Sequence, residues 1–167
     1  DHRGHGRGAG DKGHFDDFNL LIDDALAVSA VIPSGLPKFI LGHSMGSIAA
    51  RRLLEYGVYD GGVIVGTGNK DGLLDGIASK LLGMAAGAAP EMRSKTVNRM
   101  DLMGYDAAFE GGRKNRWLSA DDTNVKQYNG DPYCGFLMSN RALSEIVRHI
   151  RISTKHGNMK RLDPGAP

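Results

Sequence analysis

A serine between two glycines, Gly42-His43-Ser44-Met45-Gly46, is the segment of this 167-residue chain best suited to nucleophilic chemistry. A serine hydroxyl attacks an acyl carbon once a general base takes its proton and an acid orients that base, and backbone N–H groups stabilise the oxyanion that forms. The spacing alone is weak: with 24 glycines and 10 serines in the sequence, about one chain in five of this composition would hold Gly-x-Ser-x-Gly by chance. The setting decides. Phe39-Ile40-Leu41 before it is a short continuous apolar run, the pattern of a buried parallel strand. Ile48, Ala49, Ala50, Leu53 and Leu54 after it fall on one helix face, with Arg51, Arg52 and Glu55 opposite and Gly57 as a stop. Small residues at Gly42 and Gly46 let the chain turn sharply from strand to helix and lift the Ser44 hydroxyl out at the strand's C-terminal end. The helix N-terminus adds partial positive charge beneath Ser44, and the Met45 N–H can point at a developing oxyanion. His43 is expected to pack and not react, because neighbours on such a turn point in different directions.

The elements that would position this turn follow from periodicity. Phe18, Leu21, Ile22, Ala25, Val28 and Ile32 have helical spacing, which predicts a helix from Phe15 that ends before Pro33, with Asp16 and Asp17 in its first turn. Val63-Ile64-Val65, bracketed by glycines, is a second buried-strand candidate. A strand-helix-strand unit of this length implies a parallel pair with a right-handed crossover, and so an α/β class. A helical stripe at Leu73, Leu74, Ile77, Ala78, Leu81, Leu82 and Ala85 follows, then a polar, turn-rich stretch to Gly135, then a helix over Ala142 to Ile150. Two parallel strands are too few for an independent sheet, so the chain reads as part of a larger domain. Asp1 to Gly13, with five glycines, reads as a loop.

Composition removes several classes. With 21 Lys+Arg against 19 Asp+Glu, the formal charge of +2 gives no field for nucleic acid. A hydrophobic fraction of 41% argues against disorder. The longest apolar stretch, Leu81 to Ala89, ends at Pro90 and is far short of the roughly 20 residues that span a bilayer. No secretory pattern opens the chain, and the lack of Met at position 1 reads as a start that has been removed. Cys134, the single cysteine, has no disulfide or zinc partner and reads as a packing residue. His2, His5 and His14 lack a cysteine or a helical glutamate at usable spacing, so turn roles and no metal are expected. Gly4-x-Gly6-x-x-Ala9 with Asp23 or Asp24 imitates a dinucleotide fingerprint, but those acids fall on a helix and not at a strand end. Gly66 to Gly72 lacks the Gly-Lys-Ser/Thr ending of a phosphate loop and reads as a strand exit, so no cofactor is expected. The adjacent pairs Asp16-Asp17 and Asp121-Asp122 read as solvated surface.

Asp1-His2-Arg3-Gly4-His5-Gly6-Arg7, Gly42-His43-Ser44-Met45-Gly46-Ser47, Trp117-Leu118-Ser119 and Asp131-Pro132-Tyr133-Cys134-Gly135-Phe136 together resemble a known family. It is the lysophospholipase and monoacylglycerol-lipase-like branch of the α/β-hydrolases, also called the serine aminopeptidase S33 group. The resemblance implies a partial α/β-hydrolase fold, a parallel sheet core with a nucleophile elbow plus a helical cap. Residues 1–68 would belong to the core, 69–153 to the cap, and 154–167 to the return toward the core. It implies that Ser44 is the nucleophile, Met45 an oxyanion N–H donor, and Gly42, His43 and Gly46 the elbow's support. The substrate would be a small lipid ester, a lysophospholipid or monoacylglycerol, cleaved in the cytoplasm with peripheral membrane contact through the cap.

The sequence departs from the family at Ser47, where many members have a second glycine, and at Arg116, where an acidic residue is common. The family's first oxyanion strand would precede Asp1, and its triad acid and base would follow Pro167, with Leu162 to Pro167 as the lead-in to the acid's strand. Three alternatives stay open: an S33-type aminopeptidase, a non-catalytic binding fragment or pseudo-enzyme, and a triad completed by His149 or His156 with Asp121 or Asp131. Spacing permits the last, although the resemblance puts all four residues in cap or linker. Acyl length, head group and oligomeric state are left open.

Overall fold

Two apolar runs flanked by glycines form the only sheet among the residues described, which in this computed structural model are 1–8, 10–68, 77–102, 109 and 114–154. Strands β1 (Phe39–His43) and β2 (Gly61–Val65) pair in parallel, with Phe39 opposite Gly61 and His43 opposite Val65. Helix α2 (Met45–Leu54) crosses between them and covers one face. Glycine permits that approach. A Cβ on Gly42 would stand 2.4 Å from the Gly46 carbonyl oxygen and 2.7 Å from the Ala50 Cβ.

The apolar runs predicted burial on both faces, and the structure corrects this. Ile40 packs into the core, whereas Phe39, Leu41 and Val63 on the opposite face are 65%, 70% and 55% exposed. Strand side chains alternate between faces, so a helix on one side shields only every second residue. Among the described residues nothing covers the other side.

Helix α1 (Asn19–Ala30) ends before Pro33 as predicted but starts a turn later than Phe15. Phe15 and Phe18 sit in the chain leading into it, both buried, their rings 6.0 Å apart edge to face. Asp17 therefore precedes the first turn, and its carboxylate accepts the Asn19 N–H at 2.8 Å. With Leu21 and Ile22 these phenylalanines pack on Ile48, Ala49 and Leu53 of α2, which seats α2 between sheet and helix.

Helix α3 (Ile77–Ala88) carries the second half of the predicted stripe, while Leu73 and Leu74 lie outside the described residues. Two helices, α4 (Lys95–Leu102) and α5 (Asp122–Gly130), and a 3-10 turn at Arg116–Leu118 occupy the stretch read as polar and turn-rich. Polar contacts hold them. The Asn98 side chain donates to the Met138 carbonyl at 2.8 Å and accepts the Met138 N–H at 2.7 Å. Asp121 caps α5 by accepting the Thr123 N–H, and Asp122 pairs with Arg116 at 3.1 Å, so this carboxylate pair is structural and not just solvated. Helix α6 (Asn140–Ser153) extends the predicted helix at both ends, because Ser139 caps it by accepting the Ala142 N–H. It packs against α3 and α2.

The glycine-rich opening is a fixed loop. Arg3 makes a paired bridge to Asp24 of α1 at 2.7 and 2.8 Å, and the Asp1 carboxylate accepts the Arg7 N–H. The Gly13 carbonyl accepts the Ser139 N–H at 2.8 Å. His5 and His14 serve these turns, His5 Nδ1 lying 3.1 Å from the Arg3 carbonyl and His14 Nδ1 2.8 Å from Ser139 Oγ.

Candidate active site at the strand-to-helix turn

Between β1 and α2 the chain reverses within one residue. Ser44 has φ 52° and ψ −120°, a conformation that costs a residue other than glycine about 1–3 kcal/mol. Its neighbours hold it there. The Ser44 N–H donates to the Val65 carbonyl of β2 at 3.0 Å, and the Ser44 carbonyl accepts the Ser47 N–H at 2.9 Å and the Ser47 hydroxyl.

Ser44 stands at the N-cap of α2, where a serine side chain usually accepts an N–H of the first helical turn. Here it makes no such bond, and its hydroxyl is exposed and unengaged among the described residues. The N–H groups of Met45 and Gly46 likewise have no acceptor among those residues. The turn thus presents a free hydroxyl beside free backbone donors at a helix N-terminus, the pairing that attack on a carbonyl and stabilisation of its oxyanion require.

The residues around Ser44 differ in what they do. Gly42 is demanded by the closeness of α2. At Gly46 an added Cβ would meet nothing within 4 Å. His43 is exposed, with its Nε2 3.4 Å from where a Cβ on Gly66 would lie, so its ring rests over the exit from β2.

The candidate bases and acids lie elsewhere. His149 is 1% exposed beneath Phe18, its ring stacked at 4.7 Å, and neither ring nitrogen has a hydrogen-bond partner among the described residues. Asp121 caps α5, and Asp131 accepts the Tyr133 N–H at 2.7 Å. None of them is hydrogen-bonded to Ser44, and His156 is outside the described residues. Cys134 is no poised nucleophile, since desolvation and the charge of Asp131 push its thiol above the ordinary range. A cavity of about 400 Å³ is lined by Asp1, Arg3, Asp11, His14, Asp16 and Asp24, and Ser44 is not among its walls.

Sequence reasoning missed the charged cluster around His149. Ligating atoms of Asp17, Glu145 and His149 lie within 4.8 Å of one another, a spacing that could suit a metal ion. Arg148 already supplies the cation, with Nη2 2.7 Å from Glu145 and 3.3 Å from Asp17. His149 Nε2 is 4.0 Å from Glu145, too far for a hydrogen bond. Burial first, then the charge of Arg148 and to a smaller extent that of Arg52 of α2, against the opposing charges of Glu145 and Asp17, lower the His149 pKa from 6.5 to about 4. The neutral ring is the folded form. Stability is therefore full above pH 6.5 and falls as the pH drops toward 4, by roughly 3 kcal/mol for this group. His149→Phe is expected to flatten the stability profile over that interval relative to the native chain, measured by urea denaturation at a series of pH values. An unchanged slope would remove His149 from the account.

A strained serine between a parallel strand and the helix that covers it is the arrangement of the α/β-hydrolase fold, and solved structures of that class match the chain. A thermostable carboxyl esterase from Bacillus coagulans superposes with a TM-score of 0.80 at 22% identity, over 98% of this chain and 57% of the esterase. A monoacylglycerol lipase from Paleococcus ferrophilus gives 0.69 at 18% identity, over 96% of this chain and 56% of the lipase. The chain belongs to the serine aminopeptidase S33 family, whose model matches residues 1–162. It is also 46% identical over 50 residues to a monoglyceride lipase homolog of Monkeypox virus, a stretch that is 28% of this chain and 18% of the viral protein. The chain thus spans little more than half of the solved enzymes it matches, and carries a partial α/β-hydrolase fold. No helix among the described residues is long and apolar enough to cross a membrane.

Proposed function

We propose that the full-length protein hydrolyses a carboxylic ester of a lipid, a monoacylglycerol or lysophospholipid, through an acyl-enzyme on Ser44. The observation that carries this is the exposed Ser44, whose side chain makes no cap bond on a strained turn, beside a Met45 N–H with no acceptor among the described residues. In the first step Ser44 Oγ bonds to the ester carbonyl carbon as its proton passes to a base, and the Met45 N–H holds the oxygen that gains charge. The tetrahedral species collapses with loss of the alcohol. Water then repeats the attack on the acyl-enzyme and releases the carboxylic acid and a free Ser44. No cofactor is required.

In this reading residues 1–68 form the core that carries the turn, with Gly42, His43 and Gly46 supporting it, residues 69–153 the cap, and 154–167 the return. The acid and base, in the same reading, lie beyond Pro167. The relatives called monoglyceride lipase homolog and monoacylglycerol lipase favour a lipid ester over a peptide. Exposed Leu81 and Met84 on α3 suit contact of the cap with a lipid surface from the cytoplasmic side.

A fluorophosphonate probe, which reacts only with an activated serine, tests the assignment. The full-length protein is expected to label and its Ser44→Ala variant not to label, while the 167-residue segment alone labels weakly or not at all. Persistent labelling of the alanine variant would overturn the role of Ser44. Turnover of aminoacyl nitroanilides in preference to monoacylglycerol would move the protein to the peptidases.

A further inference from the structure

Resting on the reading of Ser44 as nucleophile, we infer that Ser47 is a positioning residue: its hydroxyl, bonded to the Ser44 carbonyl, aims the Met45 N–H at the substrate oxyanion. Ser47 is 0% exposed, and both its N–H and its hydroxyl donate to that one carbonyl oxygen. The carbonyl of Ser44 and the N–H of Met45 belong to a single rigid peptide plane. Clamping the oxygen at one end therefore fixes the direction of the N–H at the other.

The need for a clamp follows from the local conformation. At φ 52° and ψ −120° the nucleophile sits off the broad minima of an L-residue, so its own torsions do not define the plane well. The N–H of Ser44 is anchored to Val65 of β2, which settles the peptide before the nucleophile. Ser47 settles the peptide after it. Donation into the carbonyl also polarises the amide and strengthens its N–H as a donor.

The usual capping arrangement is reversed. Ordinarily the N-cap side chain accepts from the third helical residue. Here the third helical residue donates its side chain to the N-cap backbone, and the Ser44 hydroxyl stays free to react. A glycine or alanine at position 47 would keep the backbone bond and lose the hydroxyl.

The test is steady-state hydrolysis of a p-nitrophenyl ester by the full-length protein, with Ser44→Ala defining the background. Ser47→Ala is expected to lower kcat about tenfold with KM within about twofold, because the oxyanion exists only beyond the ground state. Ser47→Thr, which restores a hydroxyl, is expected to recover most of the loss. If the extra methyl prevents folding at this buried position, Ser47→Gly takes its place and must lose as much as Ser47→Ala. Thermal melts accompany each variant. Native kcat in the alanine and glycine variants, or a rise in KM at constant kcat, overturns this inference and leaves the nucleophile assignment standing. Absence of Ser44-dependent turnover in the native protein overturns both.

Discussion

Ser44→Gly is expected to melt above the native protein while its ester turnover falls on the order of 10,000-fold or more. The two effects share one cause. The φ of 52° and ψ of −120° at Ser44 lie where glycine is at ease and a side chain costs about 1–3 kcal/mol. Removing the Cβ releases that strain, and the greater freedom of glycine in the unfolded chain returns roughly 0.5–1 kcal/mol of the gain. A net stabilisation of about 1 kcal/mol remains. Ser44→Ala removes the hydroxyl but keeps the Cβ, and should therefore be as inactive as the glycine variant with a native melting temperature. The thermal midpoints of the three proteins, read beside probe labelling, check this. A glycine variant that melts at or below the native value would show that the turn stores no strain.

Gly42→Val is expected to leave the 167-residue chain without a cooperative unfolding transition, whereas Gly46→Ala, four residues on, is expected to fold normally. At position 42 the first added carbon would stand 2.4 Å from a backbone oxygen and 2.7 Å from the Ala50 Cβ, neither of which is the movable end of a flexible side chain. Helix α2 would have to lift from the sheet and surrender its contact with Ile40 and the phenylalanine cluster. Steric insertion and lost burial together exceed about 4 kcal/mol, a large share of the 5–15 kcal/mol typical of a whole domain. Position 46 has open space, and alanine there gains up to about 1 kcal/mol in helix propensity. Circular dichroism melts of the two variants decide the matter. A folded Gly42→Val would mean that α2 does not press on β1 as described.

The strand, turn, helix and second strand were readable because each is declared locally, by apolar runs at 39–41 and 63–65 and helical spacing from Ile48 to Leu54. The strands differed from prediction at their ends and in burial, because an apolar run does not say whether a second layer covers its other face. Helix α5 was not readable, because Val125 is its only buried side chain and a cap and an ion pair maintain it. Helix α4 depends on Asn98 reaching Met138, 40 residues away, which no short window contains. The start of α1 was misplaced because Phe15 and Phe18 are as apolar as helical residues and their spacing could continue the stripe. At the site, the glycines around Ser44 and the Met45 donor were legible from the motif. The Ser47 clamp was visible only as a departure from the usual glycine. His149 was legible only as a candidate base, because burial of a ring with no partner among the described residues is a property of the packing around Phe18.

The uncovered side of the two-stranded sheet governs how this chain behaves in a test tube. Phe39, Leu41, Val63 and Val65 form a greasy strip, and among the described residues each strand keeps one margin that no further strand pairs with, the combination that templates growth from chain to chain. Colloidal behaviour should then depend more on protein concentration than on temperature, with light scattering rising on concentration well below the melting point. Mild detergent should suppress it, and a lysine at the exposed Leu41 should do so too.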